Sequence, residues 1–317
     1  MDLKHFDAAA TAGALPFERL IPALRTMFAT GCSVPKRHVH EVRAGGELQF
    51  TSLIMPAWLD GRYYGVKTIN IAPGNAARGL PGLHASYLLY DGATGLPLAL
   101  IDGDQITARR TAAASALAAA CLARPDAQRL LIVGAGRIAG LLADAYRVVR
   151  PQLRHIGVWA RSSAQAQQLV DGLFQRGIDA VVQPDLAAAV QQADIVSCAT
   201  LATEPVIQGR WLKPGSHLDL IGSFTPTMRE ADDDCFVGAS LFVDTEEALQ
   251  KSGDLLGPLS RDVIQASSLG GTLATLVRGT STGRHHPDQR TVFKAVGTAL
   301  EDLAAAMLVF EGQASGG

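Results

Sequence analysis

Four aliphatic residues, Leu130-Leu131-Ile132-Val133, run directly into Gly134-Ala135-Gly136-Arg137-Ile138-Ala139-Gly140. A short apolar run ended by glycine reads as a buried strand, and the segment after it reads as a helix. The spacing fits GxGxxA. Gly134 permits the tight turn, Gly136 lets the backbone approach a ligand, and Ala139 lets the helix pack closely on the strand. Free N–H groups at the helix start face the turn, so Gly134, Ala135, Gly136, Arg137 and Ile138 form a cradle for a dinucleotide pyrophosphate.

The surrounding chain meets the context that this motif requires. Further apolar runs follow at HIGVWARSS, DAVVQ, ADIVSCAT, HLDLIGSF and SLFVDT, separated by helix-length segments. That alternation is the pattern of βαβ units and a parallel sheet. The second strand, ending at Ala160, is followed by Arg161-Ser162-Ser163 and not by the Asp or Glu that accepts the ribose 2'-hydroxyl of NAD. A cation and hydroxyls suit a 2'-phosphate, so NADP(H) is the preferred cofactor and NAD(H) a possible one.

Before Gly134 the chain is of another kind. Short β-like runs (ELQFTSLIM, YYGVKTINI, ASYLLYD, PLALID) are separated by Gly, Pro and Asn turns, and an Ala-rich helix follows from Arg110 to Ala123. Beyond the loop TSTGRHHPDQR, the run TVFKAVGTALEDLAAAMLVFE has helical spacing and returns to the first domain. The expectation is an α/β chain: a Rossmann-type doubly wound parallel sheet over 123–289, inserted into a discontinuous α+β substrate-binding and dimerisation domain of 1–122 plus 290–317. The active site is expected in the cleft between them.

Of the 317 residues, 48% are apolar, and 28 Lys+Arg against 30 Asp+Glu leave a net charge of -2. Such a balance lacks the basic footprint of a nucleic-acid or anionic-membrane binder. Neither a signal-peptide pattern nor a run of apolar residues long enough to span a bilayer is found, which points to the cytoplasm. Cys32, Cys121, Cys198 and Cys235 are far apart and show no metal-site spacing, so no metal is expected and they read as small apolar residues. Gln313 to Gly317 reads as a frayed end.

At Met55-Pro56-Ala57-Trp58, Tyr64-Gly65-Val66-Lys67-Thr68-Ile69-Asn70, Asn75-Ala76-Ala77-Arg78-Gly79-Leu80-Pro81, Thr107 to Ala113, Phe293 to Gly297 and Glu301-Asp302-Leu303, the chain resembles the ornithine cyclodeaminase and mu-crystallin family over nearly its whole length. The resemblance implies that Arg43, Lys67 and Arg110 converge on a substrate carboxylate, with Lys67 as the candidate catalytic residue. It implies further that Thr111, the glycine loop, Thr200 and Gly297 contact the cofactor, and that the protein is a homodimer. The chemistry is consistent: Arg grips a carboxylate through two parallel hydrogen bonds, and Lys adds a point charge able to relay a proton. Arg43 lies in EVRAGGE, which reads as an exposed turn.

Two departures separate the activities found in such a family. Where the cyclodeaminases carry an Asp after a Gly at the end of the fifth nucleotide-domain strand, this chain has Gly222-Ser223, and a Glu that contacts the distal amine of ornithine is replaced by Leu53. The cluster Arg229-Glu230-Ala231-Asp232-Asp233-Asp234 reads as a solvated helix start. A cyclic imine is already electrophilic and needs only its carboxylate held, the nicotinamide placed and water excluded. The expected activity is therefore NAD(P)H-dependent reduction of Δ1-pyrroline-2-carboxylate, or Δ1-piperideine-2-carboxylate, to L-proline or L-pipecolate. Ornithine cyclodeaminase, an alanine-type dehydrogenase, and a mu-crystallin-like binder of NADPH and small carboxylates are the alternatives.

Overall fold

The computed structural model describes residues 3–312; Gln313 to Gly317 lie outside them. The chain divides into two compact units, Met1–Arg110 with Thr298–Gly317, and Thr111–Gly297. These bounds differ from those expected at 122/123 and 289/290. At the first, the Ala-rich helix begins well before Arg110 and only its later part belongs to the second unit. At the second, Thr291–Lys294 is a strand and not part of a helix.

The first unit contains β1 (Lys4–Phe6), α1 (Ala8–Ala14), α2 (Phe17–Thr30), β2 (His38–Ala44), β3 (Glu47–Leu59), β4 (Tyr63–Ile71), β5 (Leu83–Asp91), β6 (Pro97–Asp102), the start of α3 (Gly103–Leu122) and α10 (Ala299–Gly312). Its sheet has the order β1-β6-β5-β4-β3-β2 and is antiparallel except for β1 on β6. Side chains alternate across a strand, and the burial follows. Met55, Ala57, Lys67, Ile69, Tyr87 and Leu89 are buried on one face, where α10 packs on β3, β4 and β5. The other face, with Ile54, Pro56, Val66 and Leu88, stays partly open. In α2, Leu20, Ile21, Leu24, Met27 and Phe28 form a buried helical stripe against α10. Strands β3 to β6 were legible as apolar runs; β2 was not, because every one of its residues is exposed.

The second unit contains β7 (Arg129–Val133), α4 (Ala139–Val149), β8 (His155–Trp159), α5 (Ser163–Phe174), β9 (Val181–Val182), α6 (Leu186–Gln192), β10 (Ile195–Cys198), β11 (His217–Leu220), β12 (Ser240–Val243), α7 (Ala248–Lys251), α8 (Gly253–Ser260), β13 (Leu269–Thr272), α9 (Leu273–Arg278) and β14 (Thr291–Lys294). All eight strands are parallel, in the order β13-β12-β14-β11-β10-β7-β8-β9. This is the expected Rossmann-type doubly wound sheet. β14 corrects the reading of TVFK as helix: all four residues are buried between β11 and β12, where β-branched and aromatic side chains pack well. Among the described residues, no helix is long and apolar enough to cross a membrane.

Candidate active site

The first unit holds a buried ionic cluster. Lys67 projects from β4 and its Nζ donates to Asp302 Oδ1 of α10 at 2.6 Å, both side chains having no solvent exposure. Arg110 of α3 donates from Nε to the same Asp302 oxygen at 3.0 Å and from Nη1 to Glu301 Oε2 at 2.6 Å. Burial lowers Lys67 to about 8, against the attraction of Asp302, which raises it; Arg110 lowers it further. The two cations that the resemblance brings together thus meet on one oxygen of Asp302. Their carboxylate partners lie in a helix whose charges the sequence left unassigned. The motif Glu301-Asp302 was the available signal, since adjacent acids in an otherwise apolar helix are costly unless paired.

Arg43 does not join them. It pairs with Leu48 on β3, whereas Lys67 pairs with Met55, and seven positions at about 3.3 Å each separate the two levels by roughly 23 Å. The Arg43 side chain is half exposed, bonded to Glu41 Oε2 at 2.6 Å and to the Gly46 carbonyl. It belongs to β2 and not to a turn. A further cation, Arg37, immediately precedes β2. His38 pairs with Ile54, and the next residue of β3, Met55, pairs with Lys67, so a register continued one step beyond His38 would bring Arg37 level with Met55.

The second unit carries the glycine loop at the end of β7. The strand order reverses between β7 and β10, which is where ligands bind in such sheets. Gly134 has φ +122, and an added Cβ would lie 2.5 Å from the Ala199 carbonyl oxygen; the close approach of the two strand ends requires glycine. At Gly136 an added Cβ would meet nothing within 4 Å. Protein packing therefore gives no reason for glycine there, whereas a phosphate approaching the backbone does. Ile138 precedes α4 without a side-chain cap, and the Gly140 and Leu141 N–H groups close the first turn on the Gly136 and Ile138 carbonyls. These residues fit a dinucleotide.

The remaining cofactor assignments fall as follows. Arg161 is exposed beyond β8, and Ser162 caps α5 by accepting the Gln165 N–H. Thr111 is buried in α3. Gly297 has φ +77 and donates its N–H to Asp244 Oδ2 at 2.6 Å. Thr200, just beyond β10, donates its N–H and its hydroxyl to Glu230 Oε1 at 2.7 and 2.9 Å, and Glu230 Oε2 accepts the Gly222 N–H at 2.6 Å.

Glu230 corrects the reading of the acidic cluster as a solvated helix start. It is fully buried and ties the loops after β10 and β11 together, while Asp232 does cap a short helical turn. Burial raises Glu230 to about 7 against the pull of Lys294. Ser223 is also fully buried; its hydroxyl donates to the Met228 carbonyl at 2.6 Å and accepts the Asp254 N–H at 3.0 Å. It is occupied by its own loop.

A Rossmann sheet with an open phosphate cradle at its switch point, in a chain that also carries a buried Lys and Arg pair, has the parts of a nicotinamide-dependent oxidoreductase. The model of the ornithine cyclodeaminase/mu-crystallin family matches residues 18–317, and the chain belongs to that family. It is 43% identical over 298 residues to the Delta(1)-pyrroline-2-carboxylate reductase of Paracoccus denitrificans (strain Pd 1222), covering 94% of this chain and 93% of that one. Its fold is similar to that of Thermococcus litoralis Delta(1)-pyrroline-2-carboxylate reductase in complex with NADH and L-proline, with a TM-score of 0.92, 31% identity, and 99% and 98% of the two chains covered. An archaeal alanine dehydrogenase dimer with bound NAD is similar at a TM-score of 0.91 and 28% identity, over 100% and 97%.

Proposed function

We propose that this protein reduces the cyclic imine Δ1-pyrroline-2-carboxylate to L-proline, and the six-membered Δ1-piperideine-2-carboxylate to L-pipecolate. The observation that carries this reading is the pairing of a buried Lys67 and Arg110 with a Ser223 whose hydroxyl is spent within its own loop. The site offers cations for an α-carboxylate, and the loop position that holds a carboxylate in cyclodeaminases offers none. Arg110 and Lys67 hold the substrate carboxylate, with Arg37 taking the part expected of Arg43. The cofactor supplies hydride to the imine carbon. Lys67, titrating near 8, supplies the proton that the ring nitrogen gains as the C=N bond becomes CH–NH. NADPH is the preferred donor on the strength of Arg161, with NADH accepted. The half-open sheet face bearing Ile54, Pro56, Val66 and Leu88 takes a second copy of the chain, giving a homodimer.

The test is oxidation of NADPH and NADH by the purified protein with each imine, with pyruvate plus ammonia, and with ornithine in the reverse sense. Turnover with either imine at rates well above the others is the expected result. Ammonia released from ornithine, or turnover confined to pyruvate, overturns the reading in favour of a cyclodeaminase or an alanine dehydrogenase. Tight NADPH binding without turnover assigns a carboxylate-binding protein.

A further inference from the structure

The buried cluster contains a feature that gripping a carboxylate does not by itself require. One oxygen of Asp302 receives both Lys67 and Arg110, while its other oxygen, Oδ2, is buried without a hydrogen-bond partner. The residue stands beside Glu301 in the first turn of α10, a helix buried along most of its length and built mainly from Ala, Leu, Met and Val. Replacing a whole buried ion cluster by apolar residues of similar volume often serves folding as well or better. A structural role alone is therefore a weak account of Asp302.

We propose that Asp302 is the positioning residue of the imine site, acting through Lys67: its Oδ1 fixes the ammonium beside the Arg110 guanidinium and keeps it protonated where the substrate carboxylate binds. This rests on the imine-reductase reading. The ammonium has three N–H donors, and Asp302 takes one of them, leaving the others to a substrate. The charged and titratable groups facing Lys67 are Asp302 and Glu301 from α10, Arg110 from α3 and Tyr87, its register partner on β5; its partner on β3, Met55, is uncharged. Of these, Asp302 makes the direct contact and supplies the largest attraction opposing the burial of Lys67. Glu301 touches Arg110 and acts on Lys67 from farther off.

The test compares wild type, Asp302→Asn and Asp302→Glu. In each, the alkaline limb of kcat/KM for imine reduction is measured, and the Lys67 ammonium is titrated directly by NMR of [15N]lysine-labelled protein. Asn keeps the shape and removes the charge, so Lys67 should lose its proton about one pH unit lower and KM should rise about tenfold. Glu keeps the charge and should restore the limb toward the wild-type position, while the displaced ammonium leaves KM raised. A purely structural Asp302 predicts less folded protein from both variants with the limb and the Lys67 titration unmoved, and that result overturns the proposal. If Asp302→Asn does not fold, Asp302→Glu decides alone: a raised KM with an unmoved limb supports positioning, and an unchanged KM overturns it. The NMR titration needs no turnover, so an unmoved Lys67 in an active enzyme defeats only the role of Asp302. Absence of imine turnover in wild type defeats the functional reading instead.

Discussion

The carboxylate of Glu230 accepts the backbone N–H of Gly222 at 2.6 Å while its other oxygen holds Thr200, so one buried side chain ties the loops that follow β10 and β11. Glu230→Gln must turn an NH2 group toward one of these donors. The variant should lose about 1–3 kcal/mol of stability, read from urea unfolding. The pH dependence has a definite sign. Burial raises Glu230 to about 7, above its ordinary 4.5, so the folded chain holds this proton more tightly than the unfolded chain. Its contribution is full below pH 4.5 and is lost as pH rises through 7. The stability gap between wild type and Glu230→Gln should therefore narrow between about pH 4.5 and 7, the range set by those two values.

Gly134 and Gly136 lie two residues apart and should fail differently. Gly134→Ala forces a side chain into φ +122 and onto the Ala199 carbonyl, costing about 1–3 kcal/mol of stability. Gly136→Ala meets no protein atom within 4 Å, so unfolding should change by less than about 0.5 kcal/mol. Its methyl group stands where a phosphate approaches the backbone, and the dissociation constant of NADPH, measured by calorimetry, should rise about tenfold or more.

Arg37 and Arg43 separate the register argument from the sequence motif. Arg37→Met should raise KM for the imine about ten- to a hundredfold, the loss of one hydrogen bond to a charged group. Arg43→Ala removes an exposed ion pair with Glu41 and should leave kcat and KM unchanged and stability within about 1 kcal/mol.

Arg161 decides between the two cofactors. Arg161→Asp places a carboxylate where the 2'-phosphate is proposed to sit, and the ratio of kcat/KM for NADPH to that for NADH should fall about a hundredfold, equivalent to about 3 kcal/mol. An unchanged ratio removes Arg161 from cofactor selection.

The open sheet face predicts an oligomer. Val66→Asp sets a charge in the middle of that face without touching the buried side of β4, and sedimentation equilibrium should show dimers giving way to monomers while the circular dichroism of the chain is kept.

Local pattern in the chain was enough for the parallel sheet and the glycine loop, which rest on apolar runs alternating with helix-length segments and on a run into GxGxxA. The meeting of Lys67 with Arg110 was implied by the family resemblance, and alternation along YGVKTI added only that Lys67 lies on one face of its strand. Elements whose character comes from their neighbours were not legible. β2 has no apolar face to announce it, and TVFK read as the start of a helix although it is a strand closed between β11 and β12. The family resemblance implied Arg43 as a carboxylate ligand, but a hairpin converts sequence into position only through its register, and that register sets Arg43 seven positions from the level of Lys67. Glu230 read as a helix-start acid, and Asp302 was given no role, because burial is a property of the packed chain. The sequence by itself determined the class of fold and the nucleotide cradle, since both depend on residue type and local spacing, and the family resemblance added the kind of chemistry. Only the tertiary structure decided which carboxylates stand against which cations, because those contacts join residues far apart along the chain and exist only once the sheet and helices have packed.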